Sequence, residues 1–339
     1  MRKSSEVQAG RLHLNWRIPN ILATVKNQRS KIKIGRRSPR APNNRLFAYL
    51  LNLPAIGLLL ALIAYPVGVS CWISFHQYNL RRPEQFEFVG LGNYIEILSG
   101  YEFWHSLQVT LYFTGLAVLL VIVIALGIAL LFNEPFVGRG IVRSLLLIPW
   151  AVPGVVNGLM WVGLLGEYGA FNELMGKGVD ILNALTGLHI NYIGMASPFV
   201  AMNAAIAAHV WRSVPFACII FLAAFQAIPP EQYQAARVDG APPWQRFRYI
   251  TLPWLLHPIL VVAIFETMNS FRAFDLIYTL TGGGPGDATN VIAWQTYKEA
   301  FARLNFGGAN AYSYLITLIT MTLAIVYIRL LYRRGAIQG

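Results

Sequence analysis

Residues 231–255 read EQYQAARVDGAPPWQRFRYITLPWL and set Glu231, Arg237, Asp239, Arg246 and Arg248 between two long apolar runs. Pro229-Pro230 ahead of Glu231 predicts a helix start, because proline suits the first helical turn and an acid there meets the positive end of the helix dipole. Gly240 predicts its end, since glycine tolerates the positive φ of a helix stop. Pro242-Pro243 then open a second short helix carrying Trp244, Phe247 and Ile250. Each helix is about ten residues long, below the roughly 12–15 at which an isolated helix becomes marginal in water. Something outside the segment must therefore hold it. Ala235 and Ala236 leave a smooth face that another protein can approach closely, and the arginines with Asp239 offer directed charged contacts. The segment has the form of a plug for a socket on a neighbouring protein; the plainer reading lays it on lipid headgroups as an amphipathic surface helix.

The flanks are membrane. Of the 339 residues, 56% are hydrophobic and only 12% charged. Apolar stretches long enough to cross a hydrocarbon layer of about 30 Å fall at 46–75, 106–132, 144–165, 197–228, 253–280 and 311–331. They predict an all-α integral membrane domain over 46–334 with six core transmembrane helices, the 229–253 loop lying between the fourth and the fifth. A basic tail, 1–45, precedes it and a short C-terminal tail, 335–339, follows. Residues 1–45 hold twelve of the 27 Lys/Arg, and Arg139, Arg143, Arg237, Arg246, Arg248, Arg329, Arg333 and Arg334 belong to the same side. The segments near 76–105, 166–196 and 281–310 hold only Arg81, Arg82, Lys177, Lys298 and Arg303. Because an excess of Lys and Arg marks the cytoplasmic side, both termini and the 231–255 segment are placed inside the cell.

The tail lacks the apolar core of a secretory signal and predicts no cleaved export peptide. Its charge draws it to anionic lipid, at about 1 kcal/mol per basic residue near the surface. No aromatic or fold motif accompanies that charge, so it does not point to nucleic acid. Cys71 and Cys218 sit in apolar runs without metal-ligand neighbours and read as small buried hydrophobes.

Gln234-Ala235-Ala236, three residues, Gly240, nine residues and Ile250-Thr251-Leu252-Pro253 together resemble the EAA loop of permease subunits in bacterial ABC importers, with Gln234 where the motif's name has glutamate. Further stretches resemble the carbohydrate branch of these permeases, typified by the larger membrane subunit of the maltose transporter. They are Val89-Gly90-Leu91-Gly92-Asn93-Tyr94, Leu147-Ile148-Pro149-Trp150-Ala151-Val152-Pro153, Trp211 to Phe216, Phe274-Asp275-Leu276-Ile277-Tyr278 and Thr281-Gly282-Gly283-Gly284-Pro285. The resemblance implies a multi-pass protein of the bacterial cytoplasmic (inner) membrane that passes a sugar or sugar-like solute inward. It also implies that Glu231, Gln234, Ala235, Ala236, Asp239, Gly240, Trp244, Ile250, Leu252 and Pro253 form coupling helices seated in a cleft of an ATPase subunit. The partners implied are a homologous second permease, two ATPase subunits and an extracytoplasmic solute-binding protein. ATP and Mg would sit on the ATPase, leaving no cofactor in this chain.

A charge in mid-membrane costs about 2.5–3.5 kcal/mol on insertion scales, so each one needs a partner or a watery path. Arg212 lies near the middle of the 197–228 run, next to Trp211 and three residues after His209. Glu266 lies roughly 20 Å along its helix from Pro253, and Asn269 shares its face at a spacing of three. Arg272 and Asp275, nearer the outer side, are spaced to pair locally. A path for sugars wants aromatic faces beside hydrogen-bonding groups, and Asn157, Trp211, Arg212, Glu266, Asn269, Phe271 and Tyr278 are the candidates. The alternatives are an interhelical polar clamp and, for Tyr278, the aromatic belt of a membrane interface. Pro149, Pro153 and Gly154 predict a kinked or broken third span.

The run Thr281-Gly282-Gly283-Gly284-Pro285-Gly286 lacks the Gly-Lys-Ser/Thr ending of a P-loop and reads as a turn after the fifth span. With no nucleophile elbow, HExxH or metal-ligand cluster either, the sequence reads as a transport subunit rather than an enzyme. The same architecture suits a polyol or glycerol phosphate. An ion-coupled secondary transporter with Glu266 as its ion site is the rival from another class, but it predicts inverted repeats that the halves of this chain do not show.

Overall fold

A computed structural model describes residues 44–187 and 193–335. The basic tail therefore lies outside the described residues except for its last two positions, as does the C-terminal tail except for Gly335. The chain divides into two compact units, Met1–Ile63 and Ala64–Gly339. Helix α1, Asn44–Leu59, lies in the first; it contains Pro54 and runs into a π-helical turn at Leu60–Ala64.

In the second unit α2 is Tyr65–Ser74, and a two-residue hairpin follows, β1 His76–Gln77 against β2 Glu87–Phe88, antiparallel with His76 opposite Phe88. Next come α3 Gly92–Ser99, α4 Tyr101–Asn133, α5 Arg139–Leu146, α6 Ile148–Ala151, α7 Gly154–Leu165 and α8 Ala170–Thr186. Then follow α9 Pro198–Gln226, α10 Pro230–Val238, α11 Pro243–Arg246, a π-helical turn at Phe247–Thr251 and α12 Leu252–Phe271. The chain closes with α13 Phe274–Leu280, α14 Ile292–Tyr297, a second π-helical turn at Lys298–Ala302 and α15 Phe306–Gly335.

Among the described residues, five stretches are long and apolar enough to cross a membrane: Tyr49–Ser74, Tyr101–Asn133, Pro198–Gln226, Pro243–Phe271 and Phe306–Arg329. The sixth is broken, as Pro149 and Pro153 predict: Arg139–Ala151 and Gly154–Leu165 meet at an angle of 96°. Proline at 153 removes a backbone donor, and the chain is extended through Val152 and Pro153 before α7 restarts at Gly154.

Two boundaries differ from the sequence expectation. The fifth span does not run to residue 280; α12 ends at Phe271, where Arg272 and Ala273 donate to the Asn269 and Ser270 carbonyls three residues back, and the chain turns before α13. Nor is the second loop helix separate from that span. The four residues of α11 continue through the π-helical turn into α12, so Pro253 stands in the first turn of a continuing helix rather than at a new start.

The core is built on α4 and α9. Phe113, Ala117, Val121, Ala125 and Ala129 recur every four residues along one stripe of α4, all with no exposed surface, and join Ala205, Ala208, Cys218 and Phe221 of α9 in one cluster. Small residues at this spacing let helix backbones approach closely in a membrane, where dispersion contacts replace the hydrophobic effect as the cause of packing. A second close approach joins α7 to α13: a Cβ on Gly158 would lie 1.7 Å from Thr279 Oγ1. In the glycine run after α13, Gly283 has φ +87° and a Cβ there would lie 2.3 Å from Trp294 Nε1, so both conformation and space demand glycine.

Candidate functional site

The segment between α9 and α12 turns its corner at Gly240. Its φ of +73° is left-handed, the Gly240 N–H donates to the Arg237 carbonyl at 3.1 Å and the Ala241 N–H to the Ala236 carbonyl at 2.9 Å. This pair of bonds is a Schellman closure, which satisfies carbonyls that the end of α10 would otherwise leave open. Tyr233 and Thr251 share a hydroxyl hydrogen bond of 2.8 Å that ties α10 to the π-helical turn beyond the corner. The Trp244 and Phe247 rings stack at 5.8 Å.

The segment presents two faces. Val238, Trp244 and Tyr249 are 88%, 65% and 71% exposed, an apolar set left uncovered by the described residues. Tyr233, Gln234, Arg237 and Arg246 instead line a pocket against the ends of α4 and α9. Of the residues implicated by the motif, Glu231 stands exposed in the first turn of α10, while Ala235, Asp239 and Gly240 are exposed and Ala236 half-buried around the corner. Ile250 packs against the main core cluster, and half-buried Leu252 and Pro253 begin α12. The structure thus separates the corner residues from Ile250.

Within the membrane spans, α6, α7, α9, α12 and the break before α13 enclose a cavity of about 360 Å³. Asn157, Arg212, Glu266 and Asn269, spaced along three helices, all reach it. Asn157 is buried and donates to the Ala208 carbonyl at 3.2 Å, leaving its Oδ1 without a partner among the described residues. Arg212 Nε donates to the Val152 carbonyl at 3.0 Å, occupying an acceptor freed where the broken span opens. Glu266, 1% exposed, has Oε2 3.4 Å from His209 Nε2, and Ser270 Oγ stands 3.2 Å from the same nitrogen. Stacked Trp150 and Phe216, with Phe265 4.6 Å from Phe216, supply an aromatic wall.

The other three path candidates lie elsewhere. Phe271 is fully buried in an apolar cluster with Ile97, Phe103 and Tyr312. Tyr278 is half exposed among Phe274, Trp294 and Tyr297, and half-buried Trp211 does not line the cavity. Arg272 and Asp275 both border the cavity but do not pair; Arg272 Nε donates to the Met268 carbonyl instead, because the helix break moves Asp275 off the shared face. His209 is a lining residue that sequence reasoning noted only as a neighbour of Arg212, although its spacing of three put both on one face of α9.

Away from the cavity, Arg303 grips Glu102 through both carboxylate oxygens, at 2.5 and 2.7 Å, and Glu299 at 2.9 Å. The Glu102 hydrogen bonds hold the Arg303 proton more tightly than in an ordinary arginine. This network ties α4 to the turn before α15.

Residues 121–334 match the family described as binding-protein-dependent transport system inner membrane component. The chain is 40% identical to the trehalose/maltose transport system permease protein MalF of Thermococcus litoralis over 83% of its own length and 92% of that protein's. It is 32% identical to the trehalose transport system permease protein SugA of Mycobacterium tuberculosis, over 91% of this chain and 95% of that one. In fold it resembles a chain of a bacterial alginate ABC transporter solved in complex with an alginate pentasaccharide-bound periplasmic protein. The TM-score is 0.68 at 21% identity, with 86% of this chain and 96% of that one covered.

Proposed function

Because the chain belongs to the family of binding-protein-dependent transport system inner membrane components, we propose that it is one permease half of an ATP-driven importer whose polar cavity passes a sugar or sugar-like solute into the cytoplasm. It is a multi-pass inner-membrane transport subunit of a system that works with a binding protein. One observation carries the solute assignment: Asn157, Arg212, Glu266 and Asn269 converge with Trp150, Phe216 and Phe265 on one cavity between membrane helices. A sugar offers hydroxyls and apolar C–H faces together, and this wall offers partners for both. Asn157 Oδ1, without a partner among the described residues, and Glu266 Oε2, with His209 Nε2 at 3.4 Å, are acceptors, which sugar hydroxyls can satisfy as donors. Relatives named for trehalose and maltose support the same class.

ATP hydrolysis, with its Mg, belongs in this reading to a separate polypeptide. Two such ATPase subunits grip the corner segment of this chain and the matching segment of a second permease. The exposed Val238, Trp244 and Tyr249 support a covered, not solvated, outer face. The Lys/Arg distribution supports a cytoplasmic position for that segment and both termini, and an outer position for the surface that meets the binding protein. The 46–334 stretch is then the permease domain, 229–253 its coupling loop and 1–45 a cytoplasmic tail. Closure of the ATPases would move the corner and, through the unbroken α11–α12 helix, the cavity wall that carries Glu266 and Asn269.

The test is uptake of labelled sugars into proteoliposomes holding this chain with its partner subunits and binding protein. Accumulation that needs ATP and the binding protein is expected. Accumulation abolished by an ionophore and indifferent to ATP would replace the importer with an ion-coupled carrier, and competition by polyols or glycerol phosphates would redraw the solute class.

A further inference from the structure

We propose that the pocket on the inner face of the corner segment holds the phosphodiester headgroup of an anionic membrane lipid, clamped between that segment and the ends of α4 and α9. The inference rests on the membrane-spanning character of α4 and α9 and not on which solute is carried.

The pocket has a volume of about 480 Å³. Leu130, Asn133, Glu134 and Phe225, near the ends of two membrane helices, line it together with Arg237 and Arg246 of the corner segment. Leu131, beside Leu130, is 69% exposed on a helix long and apolar enough to cross the bilayer, a surface that suits acyl chains. Apolar side chains and two arginines in one pocket where membrane helices end suit a lipid headgroup.

Arg246 supplies the independent observation. Arg246 lines the pocket, and its Nε, shielded from solvent, has no hydrogen-bond partner among the described residues. A cation short of acceptors is destabilising, which favours an anion against the part of the Arg246 side chain that lines the pocket. The charge balance narrows the choice: Glu134, also in the lining, offsets one of the two arginines, leaving one positive charge for an anion to match. A lipid phosphodiester carries one, whereas free phosphate carries closer to two near neutral pH. The 1–45 tail, with twelve basic residues and Glu6 its only acid, is an unsuitable occupant for a cationic site.

The experiment uses the full chain with its partner subunits in nanodiscs of phosphatidylglycerol or phosphatidylcholine, followed by transfer to detergent and native mass spectrometry. Phosphatidylglycerol retained on this chain, in preference to phosphatidylcholine, is expected. The Arg237→Gln/Arg246→Gln pair should weaken retention about thirtyfold, at the strength usual for two basic residues acting on an anionic lipid, and Arg246→Gln alone about fivefold. Arg248→Gln, on the same segment but outside the pocket, should change it little. The proposal is overturned by equal retention of the two lipids or by retention in the double variant equal to wild type. Displacement by millimolar inorganic phosphate would show a free-anion site, and a partner's side chain filling the pocket in the lipid-free complex would show a protein contact; either overturns it. Should the double variant fail to assemble, the single variant and the phosphate competition decide.

Discussion

Replacing Gly240 with valine probes the corner on which coupling depends. Glycine at φ +73° adopts its conformation without steric cost, whereas an L-residue pays about 1–2 kcal/mol there and a β-branched one no less. A Cβ at Gly240 meets nothing within 4 Å, so the penalty is conformational and not a collision with the rest of the chain. If the chain relaxes to avoid it, the Gly240–Arg237 and Ala241–Ala236 hydrogen bonds are lost, at about 1 kcal/mol each. Valine should therefore lower the population of the correctly bent corner by about 5- to 30-fold. ATPase subunits co-purified with a tagged chain, and ATP-driven uptake by the same preparation, report that population. Gly240→Asn is the control, since asparagine tolerates the left-handed region better than other non-glycine residues. Normal co-purification and uptake with valine would refute the role of the corner. Asparagine failing as badly as valine would refute the backbone argument and place a partner surface against the missing Cβ.

Three other expectations follow from close approaches and from the cavity. Gly158→Ala should overpack the α7–α13 contact by about 1–3 kcal/mol, and Thr279→Gly should recover part of that loss; thermal unfolding that shows no coupling between the two sites would refute the contact. Gly283→Ala combines a left-handed φ with a Cβ 2.3 Å from Trp294, and should lower stability by about 2 kcal/mol or more, read as a fall in the detergent melting temperature that Gly282→Ala, with no atom near its Cβ, shares only in part. Glu266→Gln keeps the shape but exchanges a carboxyl oxygen for an amide group beside His209, and uptake should fall about tenfold while the subunits still assemble. Unchanged uptake and assembly would remove Glu266 from both the path and any clamp.

Much of the candidate site was within reach of the sequence, and one part was reachable but passed over. Glu266 and Asn269 are three apart and do share the cavity face, as helical spacing requires. Phe271, two residues beyond Asn269, is rotated by about 200° at roughly 100° per residue, so it had to point away, and it packs in the apolar cluster with Ile97 and Phe103. The same arithmetic put His209 and Arg212 together. The break after Phe271 is different: no proline or glycine occupies residues 271–275, and an apolar stretch that continued to 280 concealed it.

The sequence by itself determined the features that arise within a few turns of chain. Apolar runs long enough for a bilayer dictate the spans, prolines at 149 and 153 dictate the broken one, and a glycine after α10 dictates the corner, because burial in lipid and backbone sterics act on neighbouring residues. Only the tertiary structure decided which helix faces meet. Gly158 against Thr279, Asn157 on the Ala208 carbonyl and His209 beside Glu266 each join distant helices. Spacing along one helix fixes a face, but the partner of that face depends on how all the helices pack at once, and no local pattern in a single chain encodes it.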